Sequence, residues 1–198
     1  MIDRGNFLKV AGILTKDFRL YYEIIKEFRN RELPIISLNF NEPIPSSIGV
    51  LITTKKESSK INFSFKVIAN LRYINITVIK ALLMLNDVFD VQSLVIGIDP
   101  GKNSGIALLA NERVIEKFTT PYADEIFRYI RDLKRTFMNT KMIIKIGNGD
   151  KVHMNMIIKK IASLEVLIEI VDERNTTSRY NISHEDAAIT IGYRRGIS

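Results

Sequence analysis

The acidic residues of the second half of the chain sit where they could do chemistry. Asp99 ends a short apolar run, Leu94 to Ile98, and is followed at once by Pro100-Gly101, a dipeptide that turns the chain back. A carboxylate at the end of a buried strand is costly to desolvate unless a metal or a cation answers it. The bland reading is a turn that the Asp side chain caps. Gly101 and Gly105 argue for more, because both let backbone approach the carboxylate closely. Further acids follow at matching places: Asp150 after Gly147-Asn148-Gly149, Asp172 and Glu173 after an apolar run, and Glu185 and Asp186 behind Ser183-His184.

The elements that must position these residues are legible from periodicity. Leu94–Ile98, Ser104–Ala110 and Arg113–Thr119 are predicted strands, with Asn111-Glu112 as a tight hairpin turn. A helix over 122–136, a strand over 142–146, a helix over 152–162, a strand over 165–170 and a helix opening at Ser183 complete this half. The acids then gather at the carboxyl ends of strands and at the start of the last helix.

The first half predicts a small α/β unit. Phe7–Leu14 is a strand, and Thr15 caps a helix over 16–31 whose buried stripe is Phe18, Tyr21, Tyr22, Ile25 and Phe28. Strands over 35–38 and 48–53 follow, then an exposed loop over 54–60, an extended stretch over 61–70 and an apolar helix over 74–85. A strand-helix-strand start implies parallel pairing through a right-handed crossover. No phosphate-binding glycine fingerprint is present. The junction falls near Asp87–Ser93, giving expected domains of 1–90 and 91–198.

Composition sets the bounds. The chain has 198 residues, 46% hydrophobic and 26% charged, which suits a folded globular protein of one large or two small domains. It contains no cysteine, so disulfides, thiolate metal sites and a cysteine nucleophile are excluded. No apolar run approaches the roughly 18 residues of a membrane span, and the amino terminus lacks a signal-peptide pattern. A cytoplasmic protein is expected. The net charge of +7 favours a polyanionic partner such as nucleic acid.

Three stretches resemble a known family. Ile96-Gly-Ile-Asp-Pro-Gly-Lys-Asn-Ser-Gly105 is similar to the opening motif of RuvC Holliday-junction resolvases. Val171-Asp-Glu-Arg-Asn-Thr-Thr177 resembles a motif of their YqgF relatives, and His184-Glu-Asp-Ala-Ala188 resembles the last-helix motif. The resemblance covers residues 93–198. It implies a ribonuclease H-like domain, with a three-stranded antiparallel hairpin, parallel strands and helices on both faces. It also implies a metal-dependent endonuclease on structured DNA or RNA, with roles in recombination or repair. By this resemblance Asp99, Glu173 and Asp186 are catalytic and hold two Mg²⁺ or Mn²⁺ ions, with Asn148 and Asp150 as further ligands. Such ions prefer carboxylate oxygen, and a pair about 3.5–4 Å apart neutralises the attacking and leaving oxygens. Lys102, Arg174, Lys151, Arg194 and Arg195 are the expected nucleic-acid contacts, and a homodimer is expected by analogy with resolvases.

One departure counts against catalysis: Asn148 stands where such resolvases carry a Glu. The alternative is therefore a non-catalytic nucleic-acid-binding or interaction protein, using Lys141, Lys145, Lys151, Lys159, Lys160, Arg194 and Arg195. Asp99-x-Gly101-x-x-x-Gly105 also resembles the first phosphate loop of actin-like ATPases. The first half offers no matching second loop.

Overall fold

Val50, Leu51 and Ile52 lie in the middle of a run that is apolar on every residue, and all are fully buried. That is the pattern of a strand covered on both faces, which in a small α/β unit means a central parallel strand. The computed structural model describes residues 9–173 and 183–196 and divides the chain into two units, residues 1–89 and 90–198. Both are α/β, the first built on a parallel sheet and the second on a mixed one.

The first unit runs β1 (Val10–Ile13), α1 (Phe18–Asn30), β2 (Ile35–Ser37), β3 (Ile48–Thr53), α2 (Lys55–Ser58), β4 (Lys66–Ile68) and α3 (Ile74–Leu85). The sheet order is β2-β1-β3-β4, with every pair parallel. The order therefore reverses between β1 and β3, because the chain leaves β1 toward one edge and β3 toward the other.

Two local expectations fail here for physical reasons. The cap of α1 is Asp17 rather than Thr15: Oδ1 of Asp17 accepts the Leu20 N–H at 3.0 Å. The helix thus starts later, and its buried stripe is Leu20, Ile24 and Phe28, while Phe18 is 87% exposed. The stretch over 54–60 is not a loop throughout. Thr54-Lys-Lys-Glu57 closes a capping box, in which the Thr54 hydroxyl accepts the Glu57 N–H and donates to its carboxylate.

One buried polar group lacks a partner among the described residues, the Thr53 hydroxyl at the end of β3. An unpaired hydroxyl in a closed core costs its desolvation with nothing returned. Thr53→Val, which keeps the shape, is expected to stabilise the protein by about 1 kcal/mol in denaturant unfolding.

The second unit runs β5 (Ser93–Asp99), β6 (Ser104–Ala110), β7 (Arg113–Thr120), α4 (Ala123–Thr136), β8 (Lys141–Gly147), α5 (Lys151–Ile161), β9 (Leu167–Val171) and α6 (His184–Tyr193). Its sheet order is β7-β6-β5-β8-β9, antiparallel among the first three and parallel for the last two pairs. Asn111 and Glu112 make the β6–β7 turn, with φ of 47° and 66°, the left-handed pair that suits a two-residue hairpin.

Successive strand residues face opposite ways. On one face Ala107 and Leu109 pack against Ala188 of α6. The other face carries Leu94, Ile96, Ile98, Ile106 and Leu108, all fully buried. Both faces are thus covered. Helix α6 lies directly on β5, and Gly97 allows it, since a Cβ there would run into the Ala188 carbonyl oxygen. Among the described residues no helix is long and apolar enough to cross a membrane.

Candidate functional site

In the second unit Asp99, Asp150, Glu173 and Asp186 stand at or just beyond the ends of strands and at the start of α6, and each of the four is already engaged. Asp99 is nearly buried, and its Oδ2 lies 2.6 Å from Nδ1 of His184, the first residue of α6. Gly105 makes room for that helix start, because a Cβ on it would collide with the His184 backbone. Asp186 is exposed and pairs with Lys117 Nζ at 2.6 Å, while the Ser183 hydroxyl donates to its other oxygen at 2.9 Å. The Lys117 bond, with that of Ser183, holds the Asp186 carboxyl below its usual range.

Asp150 does not reach this group of side chains. It caps α5, accepting the N–H groups of Val152 and His153, and its Oδ2 lies 2.7 Å from the His153 ring. These bonds, the His153 N–H first, hold its carboxyl low.

Glu173 is bound by the Gly149 N–H at 2.9 Å, and its own N–H donates to Asn148 Oδ1 at 3.2 Å. Burial pushes the Glu173 carboxyl above its usual range; the Gly149 bond opposes this, and the charge of Asp99 adds to the rise. Asp99, His184, Glu173 and Asn148 are thus brought together, and Asp186 and Asp150 are held apart by their own partners. Among the described residues no group of three or more His, Asp or Glu side chains is arranged to hold a metal ion.

The basic residues named from sequence are dispersed. Lys102 is exposed in the β5–β6 turn, and Lys151 is exposed at the start of α5. Arg194 is committed to structure: Nη1 donates to the Asp172 carbonyl at 2.7 Å, and its carbonyl accepts Lys145 Nζ at 2.5 Å. Arg195 is exposed. Arg174 lies outside the described residues.

The first unit carries a cavity that the sequence did not signal as a site. It measures about 590 Å³ and is lined by Lys16 and Asp17 after β1, Phe40 after β2, and Thr54, Lys56 and Glu57 after β3. This is the carboxyl side of the sheet, at the reversal between β1 and β3, where open α/β sheets form their ligand crevice.

Its central acid is Glu57. Oε1 accepts the Lys16 N–H at 2.6 Å, and Oε2 accepts the Thr15 and Thr54 hydroxyls at 2.7 Å and 2.6 Å. Burial raises the Glu57 carboxyl, but these bonds outweigh it, and the group ends below its usual range. The signal was present in sequence as Thr54-x-x-Glu57, a capping-box spacing.

The comparisons fall on this same unit. A family model described as a response regulator receiver-like domain matches residues 10–84, less than half of the chain. No curated protein matches the chain in sequence. The match corrects the resemblance drawn from residues 93–198. A receiver-like domain is a different fold family from the ribonuclease H-like RuvC and YqgF proteins. The readings as a Holliday-junction resolvase, as a metal-dependent endonuclease and as a recombination or repair protein are overturned with it. Geometry explains how the motifs misled. Asp-Pro-Gly turns a hairpin and seats a helix start through His184, and Ser183-x-x-Asp186 caps that helix.

Proposed function

We propose that the chain is a non-catalytic signalling and interaction protein, and that its receiver-like unit works by reversible recognition at the crevice between β1 and β3. One observation carries the reading. The carboxylate at the centre of that crevice, Glu57, has both oxygens committed to Thr15, Lys16 and Thr54. A carboxylate acts as a nucleophile or phosphoryl acceptor only with an exposed, activated oxygen. Glu57 instead ties the β1–α1 connection to the start of α2. Asp17, the other acid of the crevice, caps α1. The match to a receiver-like family over residues 10–84 supports a signalling role for this unit.

The test is chemical. The full chain is incubated with a small acyl phosphate and Mg²⁺, and separately with labelled DNA and RNA. The expected result is an intact mass without phosphoryl gain, and nucleic acid left uncut. A phosphoryl group on Glu57 or Asp17 would overturn the reading.

A further inference from the structure

The cavity beside Glu57 has an imbalance that its structural role does not explain. Three lysines border it: Lys16 from the β1–α1 connection, Lys56 within α2 and Lys60 beyond it. None is in an ion pair among the described residues. The one central carboxylate that could answer them is already satisfied, by two hydroxyls and a backbone N–H. The ammonium groups therefore keep their hydrogen-bonding capacity for something from solution.

The walls narrow what that something is. Phe40 lines the cavity half-buried, with Lys16 Nζ 5.4 Å from its ring centre, so an apolar surface adjoins the cations. Ammonium groups arriving from separate segments suit a tetrahedral anion, whose oxygens can be shared among them, better than a planar carboxylate. The volume lies within the roughly 300–1,000 Å³ range of small-ligand sites. The crevice position is the one open α/β sheets use for ligands.

We propose that this crevice is a reversible binding site for a small phosphate monoester carrying a planar group, of the nucleoside monophosphate class. The phosphate is held by Lys16, Lys56 and Lys60, and the planar group lies toward Phe40. The inference rests on the reading of the crevice as a recognition site and adds its ligand class.

The test titrates the full chain with AMP, inorganic phosphate and adenosine by calorimetry, beside Lys56→Ala/Lys60→Ala and, as a control in the second unit, Lys151→Ala. All three lysines are exposed, so the variants are expected to fold, which circular dichroism checks. AMP is expected to bind more tightly than phosphate, and adenosine to bind far more weakly. The double variant should lose about tenfold or more in AMP affinity, and Lys151→Ala should lose nothing. Three results would each overturn the proposal: no binding of AMP or phosphate at millimolar concentration, equal affinity in the double variant, or adenosine binding as well as AMP. Equal affinity would place the anion on the general positive charge of the chain. Failure here, with no phosphoryl gain in the acyl phosphate experiment, would leave the non-catalytic reading standing.

Discussion

Gly97→Ala is expected to destabilise the protein by about 3 kcal/mol or more and to strip protection from α6 in hydrogen exchange. The reason is backbone against backbone. A Cβ on Gly97 would overlap the Ala188 carbonyl oxygen and come within 2.8 Å of the Gly192 nitrogen. Neither atom belongs to a flexible side chain, so the helix as a whole must lift from β5. Lifting it would also uncouple His184 from Asp99 and loosen the Ala107–Leu109–Ala188 cluster. Gly101→Ala is the control: its nearest neighbours would be 3.7 Å and 3.8 Å away, an ordinary contact. It should stay within about 0.5 kcal/mol of the wild type. If Gly97→Ala unfolds at the wild-type denaturant concentration, α6 does not seat on β5 as described.

Glu57→Ala is expected to cost about 2 kcal/mol or more, because it leaves two hydroxyls and one backbone N–H without the charged acceptor they share. The acid dependence gives the sign. Hydrogen bonding lowers the Glu57 carboxyl in the folded state from an ordinary value of 4.5. The unfolded chain therefore binds its proton first as pH falls. The stabilisation is complete above the unfolded value and is lost as pH falls through the lower folded value. Wild type should lose stability across that acid window, and Glu57→Gln should lose less of it. Parallel curves for the two proteins would show that the carboxylate is not the pin described.

The two halves were legible to different degrees. In the second unit the strand and helix succession could be read closely, because β5 and β6 are long apolar runs and the Asn111-Glu112 turn is short. Its acids could also be located. What periodicity could not supply was the partners of two of them: Lys117 for Asp186 and His184 for Asp99 are contacts of tertiary structure, whereas Asp150 stands directly before α5 and its cap is local in sequence. Residue type and spacing point to a metal-binding set at positions where the fold also makes a helix cap and ion pairs.

In the first unit the reverse held. The helix of 74–85 is plain from its apolar run, but the spacing in α1 predicts a buried stripe a fraction of a turn out of phase. Thr15 and Asp17 both offer capping oxygens, and only the fold decides between them. Its crevice has no local signature. The crevice is made by ends of elements far apart in sequence, Lys16, Phe40 and Lys56, which no local window joins.

The most direct measurement of the central claim is a pH titration of the Glu57 side-chain carboxyl by carbon-detected NMR, in the full chain. A midpoint below 4.5 is expected, with the Lys16 amide and the Thr15 and Thr54 signals moving in step as the shared bonds break. A midpoint at or above 4.5, or neighbours that do not respond, would mean an available carboxylate in the crevice. It would contradict the reading of Glu57 as a structural pin in a recognition site.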